Sequence, residues 1–439
     1  MRKRRSSRVV AGLLAFVLSA VLLTGCLGNG GVSGTGGATK SEAEETVLTL
    51  WAIANPTDAF HEPYLRAIRD FERANPGVTI KMETFENEAY KTKIRAAVAM
   101  NQLPDIFFTW GGGFSQSFVK SGKVLCLEPY YEEYESQLSR TVLENATYDG
   151  KLYGVTYCTP VSVVFYNKRL FEEAGAEIPR NFDEFIGVCN KLIDAEIIPI
   201  GNSAKETWVL AMIHDALILK AAGPDKIEHV VTDHTVNYNN PEFIRASRSF
   251  CALVEMGAFN PEAATLGNDE ACETLFSGKA AMYVTGSWMA ASLYEKSTVS
   301  DPEDFDCFPM PVVNSAYAKI TDFMGGASDT LMVNAGSEHT DLAARAAFEI
   351  SKSVSRYAYL RGAAIPAWTV DYETFEVNPI TAKVAQYCVN ATSFTLWFDT
   401  LMTSEVADRY LALLQEMYFG KMTPGEFADE MTRIIEEQE

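Results

Sequence analysis

Positive charge is scarce in this chain, which has 37 lysine and arginine residues against 58 aspartate and glutamate residues and a formal net charge of −21. A surface of this sign repels nucleic acids and the anionic headgroups of lipids. The composition therefore argues against nucleic acid as a partner and against binding of the folded surface to a membrane.

Histidine is also scarce, and the motifs of common catalytic and metal sites are absent. The five histidines are scattered, and no H-E-x-x-H helix is present. The sequence contains no G-x-S-x-G turn of the kind found in serine hydrolases. No Gly-Lys-Ser/Thr follows the glycine-rich stretch 28–37, as a phosphate-binding loop would require. We therefore expect no metal, no cofactor and no catalytic activity.

Eight cysteines occur, but none of them in C-x-x-C spacing, which argues against a zinc site or a redox pair. Seven remain if Cys26 is set apart, and most lie in apolar surroundings such as Val124–Leu127. This pattern predicts buried free thiols. The sequence leaves open one or two disulfides in an oxidising compartment.

The N-terminal residues have the layout of a secretory signal, with five basic residues within 2–8 and an apolar run over 9–23. An uncleaved anchor is the alternative, but Leu23-Thr24-Gly25-Cys26 resembles the bacterial lipobox, after which the cysteine is lipidated. We expect a signal peptide over 1–25, a lipid anchor on Cys26 and a flexible tether over 26–45. The protein would then lie at the extracellular face of the cell membrane and contact it only through this anchor.

Alternating strand and helix patterns follow the tether. Strands are predicted at 47–51, 78–82 and 106–110, and helices from about 62 and over 90–100. This order is typical of a largely parallel sheet covered by helices, in which ligands bind beyond the carboxyl ends of the strands. A chain of this length is too long for one core and suits two lobes.

Three later helices have recognisable starts. Asn181 with Glu184 resembles a capping box, and Asn240 precedes a proline at the first helical position. Thr423 and Glu426 combine both devices around Pro424. These residues predict helices and carry no information about function.

Tryptophan is the residue type that points to a ligand. Sugars have polar rims and apolar C–H faces, so a sugar site needs aromatic platforms and fixed hydrogen-bonding groups. The six tryptophans are Trp51, Trp110, Trp208, Trp288, Trp368 and Trp397. The alternative for each indole is packing in a core, but Trp51 and Trp110 end predicted strands, where ligand is expected.

Five sequence blocks, taken in order, resemble family 1 extracellular solute-binding proteins, the group that contains the maltose-binding protein. The blocks are Ala97–Ile106, Asp149–Val155, Val164–Gly175, Phe276–Trp288 and Gly420–Phe427. The resemblance covers nearly the whole chain after about Val47. One departure is Thr156, where the family often has proline.

The resemblance implies a two-lobed α/β periplasmic-binding-protein-like fold of type II, in which each lobe is a mostly parallel sheet flanked by helices. The ligand cleft lies at the hinge, and the lobes close over the ligand. Chain crossings are expected near 159–162, 320–323 and 362–367. The implied N-terminal lobe comprises 46–160 and 323–363, and the C-terminal lobe comprises 161–322 and 364–439.

The resemblance also supports the choice of binding residues, because Trp208, Trp288 and Trp397 match regions that carry aromatic rings in the family. Gly325 and Gly326 lack a Cβ atom and can bring backbone close to a ligand. The predicted ligand contacts are Trp51, Asn55, Trp110, Tyr157, Trp208, Trp288, Gly325, Gly326, Trp368, Trp397 and Asp399.

The implied function is that of a monomeric substrate-binding lipoprotein of an ABC importer, which captures a carbohydrate and delivers it to a membrane permease. We expect this carbohydrate to be an oligosaccharide. A secreted, lipid-anchored glycoside hydrolase is one alternative, although it needs two carboxyl groups at a defined separation and the sequence singles out no such pair. The same fold with a metal, phosphate or peptide ligand is the other alternative, because fold alone does not determine the ligand.

Overall fold

The computed structural model describes residues 45–369 and 377–437. The predicted signal peptide, Cys26 and nearly all of the predicted tether lie outside the described residues. Within those ranges, no helix has both the length and the apolar character that a bilayer crossing demands.

The strands are β1 (Thr46–Ala52), β2 (Val78–Thr84), β3 (Ile106–Trp110), β4 (Thr147–Tyr148), β5 (Lys151–Leu152), β6 (Gly154–Thr156), β7 (Ser162–Asn167), β8 (Ile198–Gly201), β9 (Ala280–Gly286), β10 (Phe305–Phe308), β11 (Asp322–Met324), β12 (Asp329–Val333) and β13 (Ser393–Thr395).

The helices are α1 (His61–Ala74), α2 (Asn87–Met100), α3 (Gly113–Lys120), α4 (Glu128–Tyr131), α5 (Lys168–Glu173), α6 (Phe182–Asp194), α7 (Thr207–Ala222), α8 (Pro224–Ile227), α9 (Pro241–Glu255), α10 (Asn268–Phe276), α11 (Met289–Tyr294), α12 (Thr340–Arg361), α13 (Pro379–Val389), α14 (Phe398–Leu401), α15 (Ser404–Tyr418) and α16 (Pro424–Glu436).

The predicted elements near the start of the described chain are confirmed: strands β1, β2 and β3 alternate with helices α1 and α2. The helix starts are confirmed as well. The Asn181 side chain accepts a hydrogen bond from the Glu184 N–H at 2.9 Å, Asn240 accepts one from the Phe243 N–H at 3.1 Å, and Thr423 and Glu426 form a capping box.

The strands form two main sheets. The first has the order β2-β1-β3-β12-β6 and the second the order β10-β7-β9-β8. We call the first sheet with the helices packed on it, α1 to α4 and α12, the first lobe, and the second sheet with α5 to α11 and α13 to α16 the second lobe. All strands of the first sheet lie within the ranges predicted for the N-terminal lobe, and those of the second within the ranges predicted for the C-terminal lobe. The exact lobe boundaries stay a prediction.

Each sheet contains one reversed strand among the described residues. In the first sheet β1 runs parallel to β2 and β3, whereas β12 is antiparallel to β3 and β6. In the second sheet β8 runs parallel to β9, whereas β7 is antiparallel to β9 and β10. Strands β12 and β7 each follow a chain crossing, so they enter their sheets from the hinge and run away from it. The other strands share one direction, as the mostly parallel architecture predicts.

Separate hydrophobic cores stabilise the two lobes. In the first lobe, α1 buries Tyr64, Ile68 and Phe71 against the sheet. In the second lobe, α7 is buried along nearly its whole length, and every residue of β9 is buried because cores cover both faces of that sheet. Burial of apolar surface is the main stabilising contribution in both lobes.

The seven cysteines of the described residues are free thiols. Four of them, Cys158, Cys189, Cys272 and Cys307, are buried. Burial raises the pKa of the Cys189 and Cys307 thiols to about 12, which keeps both groups protonated and poorly reactive at neutral pH.

Candidate binding site

A cavity of about 590 Å³ lies between the two lobes and is lined by residues of both. Its walls include the segments that follow β1, β2, β6, β8, β9 and β13, the last residue of β3, and the segment that precedes the reversed strand β12. The carboxyl ends of the strands that share one direction therefore meet at this opening, as the sheet rule predicts. The volume falls within the usual range for small-molecule sites.

Four indoles line the cavity: Trp110 from the first lobe and Trp208, Trp288 and Trp397 from the second. The Trp288 and Trp397 rings lie 5.9 Å apart between centroids at an angle of 55°. The Trp288 and Trp397 rings are neighbours, and the Trp110 and Trp208 rings line the same cavity. Together these rings provide the flat apolar faces that sugar rings require.

The Trp110 ring is held by aromatic neighbours of its own lobe. It packs edge to face against Phe108 at 4.9 Å and against Phe114 at 5.0 Å between ring centroids. The Lys91 ammonium lies 5.5 Å from the centre of the indole. Because neighbouring rings fix its orientation, Trp110 presents a rigid surface to a ligand.

The Trp208 ring is fixed by a hydrogen bond at the start of α7. Its indole N–H donates to Glu206 Oε2 at 3.0 Å. The other carboxylate oxygen of Glu206 accepts a hydrogen bond from the Asn268 backbone N–H at 2.8 Å. Glu206 thereby ties the ring to the beginning of α10.

Trp397 differs from Trp208 because its indole N–H has no partner in the described part of the chain. The residue is 6% exposed, and its buried Nε1–H donates no hydrogen bond to any described residue. The next residue along the chain, Phe398, is held by the core of the second lobe, because its N–H donates to Asp215 Oδ2 at 2.9 Å. A buried donor without an acceptor is costly, and an acceptor on a ligand in the cavity would satisfy it.

Asp215 belongs to a polar network inside the second lobe. The Tyr410 hydroxyl donates to the other oxygen of Asp215, and His214 bridges Tyr410 and Ser247 at 2.8 and 3.0 Å. Burial raises the pKa of Asp215 to about 8 and lowers that of His214 to about 3. These groups lie in the core behind the wall and position the Trp397 segment.

Among the residues that the structure describes, two cationic side chains line the cavity, and each is paired with a carboxylate of the opposite lobe. Lys91 of α2 lies 3.4 Å from Asp399. Arg361, at the end of α12, lies 2.7 Å from Glu295. These ion pairs join the first lobe to the second at two points on the cavity wall.

Two further carboxyl groups of the first lobe line the cavity, and burial raises the pKa of both Asp58 and Asp329 to about 6. Asp58 accepts a hydrogen bond from the Phe60 N–H at 2.7 Å. Asp329 accepts weaker ones from the Cys158 thiol at 3.4 Å and the Ser328 hydroxyl at 3.2 Å. Both groups can accept further hydrogen bonds from a ligand.

Seven of the predicted contacts line the cavity: Asn55, Trp110, Tyr157, Trp208, Trp288, Trp397 and Asp399. Asn55 donates to Glu86 at 3.0 Å, and the buried Tyr157 ring packs edge to face on Phe60. The structure brings these residues together, whereas it places the other four outside the cavity.

Two tryptophan expectations are corrected. Trp51 is the penultimate residue of β1, and its ring packs on Phe85 at 5.5 Å beneath the Lys93 ammonium, since successive side chains of a strand point to opposite faces. Trp368 is 2% exposed and lies in the core of the first lobe. Its indole N–H donates to Ser351 Oγ at 2.8 Å.

The expectation for Gly325 and Gly326 is also corrected. Both have positive φ, +130° and +136°. The Gly326 N–H donates to the Pro160 carbonyl at 2.9 Å, and a Cβ on Gly325 would lie 2.2 Å from that same oxygen. These glycines let the second crossing pack closely against the first, and neither of them lines the cavity.

Sequence reasoning missed another glycine cluster, 111–113, directly after β3. A Cβ on Gly113 would lie 2.3 Å from the Met402 carbonyl oxygen, so the backbones of the two lobes touch here. Gly286 was missed as well: a Cβ there would lie 2.0 Å from the Trp288 ring. The glycine run directly after a predicted strand was a sequence signal that could have revealed the close contact at 111–113. No sequence signal indicated the contact of Gly286 with the Trp288 ring.

The family model described as bacterial extracellular solute-binding protein matches residues 53–349. An ABC transporter extracellular-binding protein of Pyrococcus horikoshii is 24% identical over 310 residues, which is 69% of this chain and 70% of that protein. The diacetylchitobiose-binding protein of Streptomyces coelicolor is 23% identical over 350 residues, 78% of this chain and 76% of that protein.

Solved structures agree with this fold. A structure reported in connection with xylan utilization by the thermophilic bacterium Caldanaerobius polysaccharolyticus has a TM-score of 0.83 and 30% identity, and covers 88% of this chain and 99% of its own. A chitin oligosaccharide-binding protein has a TM-score of 0.81 and 23% identity, with 90% and 99% covered. The two-lobed type II architecture is thereby confirmed.

Proposed function

The chain belongs to the family of bacterial extracellular solute-binding proteins, and we propose that it captures an oligosaccharide between its lobes and delivers it to the permease of an ABC importer. The ligand bridges both lobes, binds the closed arrangement more tightly than the open one, and so shifts the population towards closure. The closed monomer then docks on the permease.

One observation carries this proposal: indoles from both lobes line a single cavity together with hydrogen-bonding groups. Trp110 and Trp288 supply apolar surfaces from opposite lobes, and Asp58 and Asp329 supply acceptors for hydroxyl groups. Stacking surfaces with fixed polar groups around them match the alternating C–H faces and hydroxyl rims of a saccharide.

Relatives support the choice of a saccharide over a metal, phosphate or peptide. The relative from Streptomyces coelicolor is named for diacetylchitobiose, and a structural neighbour is named for chitin oligosaccharides. Among the described residues, no group of three or more histidine, cysteine or acidic side chains could hold a metal ion. The excess of carboxylates in the cavity disfavours phosphate.

Calorimetric titration of residues 27–439 with neutral tetrasaccharides tests the proposal. We name xylotetraose, cellotetraose, maltotetraose and tetra-N-acetylchitotetraose as probes, with phosphate and a tetrapeptide as non-sugar probes. We expect saturable binding of at least one tetrasaccharide. If none of the saccharides binds while a non-sugar probe does, the proposed ligand class is wrong.

A pair of variants locates the binding. Trp288→Ala should weaken binding by about 1 to 3 kcal/mol through lost stacking and burial. Trp51→Ala is the matched control, because it removes an indole outside the cavity. Equal losses in both variants, or none in Trp288→Ala, would contradict the assignment. Product analysis after prolonged incubation of the wild-type protein with the bound sugar tests the hydrolase alternative, which requires shorter products.

We further propose that Cys26 carries the lipid anchor and that 26–45 is the tether to the extracellular face of the membrane. In the full chain, Cys26→Ser should release the protein from the membrane fraction while leaving sugar binding unchanged. Cys388→Ser, which alters a half-buried thiol of the second lobe, is the control. Membrane retention of the Cys26 variant would argue for an uncleaved N-terminal anchor.

A further inference from the structure

The charges on the cavity wall are strongly unbalanced. The two cations, Lys91 and Arg361, are already paired with Asp399 and Glu295. The carboxylates on the wall that have no cationic partner within the described part of the chain are Asp58, Glu86 and Asp329 in the first lobe and Glu206, Asp269 and Glu273 in the second. The cavity therefore has a negative potential on both sides.

The chemistry of these groups sets what a ligand must present. Ionised carboxylates only accept hydrogen bonds, so groups of the ligand that face Asp58 and Asp329 must be donors. The buried indole N–H of Trp397 has the opposite requirement, since it needs an acceptor. A hydroxyl group does both, as donor and acceptor.

A carboxylate group on the ligand would interact unfavourably with the acidic walls of the cavity. It donates no hydrogen bond, and its charge has the same sign as the carboxylates on both walls. Lys91 and Arg361, the cations on the wall within the described ranges, are occupied by interlobe ion pairs, and freeing one of them would break a contact between the lobes. Like charges brought together in a closed site of low dielectric repel strongly.

We propose that the cleft selects oligosaccharides without an acidic group, neutral or amino-substituted, and rejects those that carry a uronate. The inference rests on the proposed function and specifies its substrate class. The selection arises from repulsion by the walls and does not depend on the size of the excluded group.

The test uses three ligands of one backbone. The first is the neutral tetrasaccharide that binds in the titrations above, the second is its counterpart with one glucuronate residue, and the third is the methyl ester of that counterpart. The ester keeps the bulk of the uronate but removes its charge. We expect the uronate to bind at least tenfold more weakly than the neutral sugar, and the ester to recover most of the loss.

Salt and variants provide independent checks. The discrimination, which is the ratio of the Kd of the uronate to the Kd of the neutral sugar, should fall at 0.5 M salt because the charges are screened. Asp269→Asn and Glu273→Gln, which remove exposed carboxylates from the cavity wall, should each reduce the discrimination by about twofold or more. Glu436→Gln, on the exposed surface of α16, should leave it unchanged.

The outcomes separate the two proposals. If no neutral tetrasaccharide binds, both the proposed function and this inference are wrong. If the neutral sugar and the uronate bind equally well, only this inference is overturned. If acid and ester are rejected equally, size and not charge excludes them, and the inference is likewise overturned.

Discussion

Arg95 of the first lobe forms a bidentate ion pair with Asp408 of the second: Nη1 lies 2.7 Å from Oδ2 and Nη2 lies 3.2 Å from Oδ1. Arg95 stands one helical turn after Lys91, which pairs with Asp399. Helix α2 thus presents two cations, four residues apart on one face, to the second lobe.

Breaking this interlobe pair should weaken ligand binding, because the pair stabilises the arrangement in which the cavity is formed. For Arg95→Ala we expect a loss of about 0.5 kcal/mol, or roughly twofold in Kd, since the pair is partly exposed. Calorimetry on Arg95→Ala, Asp408→Ala and the double variant measures the coupling. The Arg409–Glu437 pair, 2.8 Å apart within the second lobe, is the control. A coupling of zero would mean that the Arg95 pair does not contribute to closure.

Gly286→Ala should weaken sugar binding without unfolding the protein. A Cβ at this position would lie 2.0 Å from the Trp288 ring, so the indole has to leave its present position on the cavity wall. We expect roughly a tenfold loss of affinity, within the range for a lost aromatic contact. Titration calorimetry measures the loss, and Gly187→Ala, where a Cβ meets nothing within 4 Å, is the matched control. Unchanged affinity would show that the Trp288 ring can shift without losing its contact with the ligand.

The Asp58 carboxyl should make stability depend on pH near neutrality. Burial raises its pKa from 3.8 to about 6, so the folded protein holds the proton more tightly than the unfolded chain. This stabilising contribution is complete below pH 3.8 and is lost as pH rises through about 6. At pH 8 the buried charge costs the fold on the order of 2 to 3 kcal/mol.

Asp58→Asn should therefore raise the melting temperature at pH 8 and have little effect at pH 4.5. The amide keeps an oxygen that can accept the Phe60 N–H. Thermal unfolding at the two pH values measures the difference, with Glu436→Gln as an exposed control. A variant that is less stable than the wild type at pH 8 would show that the ionised carboxylate is favourable in the fold.

Trp368→Phe should reduce stability but leave sugar affinity unchanged, because Trp368 belongs to the core. The change removes the hydrogen bond to Ser351 Oγ and part of a buried ring. We expect a loss of about 1 to 3 kcal/mol in the free energy of unfolding. Urea denaturation measures stability, and calorimetry measures affinity. If Trp368→Phe lowers the affinity for sugar but leaves stability unchanged, Trp368 contributes to the binding site and not mainly to the core.

The sequence by itself determined the local elements and the order in which they form two lobes. Strands β1 to β3 and helices α1 and α2 follow from alternating and 3.6-residue apolar periodicities, which depend only on neighbouring residues. The helix starts at Asn240 and Thr423 follow from caps that act within one turn. Residues at or just after strand ends, such as Trp110 and Asn55, were predictable because strands of one direction present their carboxyl ends at one edge.

The tertiary structure alone decided which of these residues share the cavity. Trp51 and Trp110 both lie at the carboxyl ends of strands of one sheet, yet only the Trp110 ring lines the cavity, because Phe85 and Lys93 pack against the Trp51 ring. The carboxylates Asp58 and Asp329 lie more than 250 positions apart in the chain, and no local pattern predicts that they line one wall. Periodicity and capping act over a few residues, whereas the approach of two lobes depends on contacts between segments hundreds of residues apart, and this distance is the reason that the sequence could not reveal the site's charge.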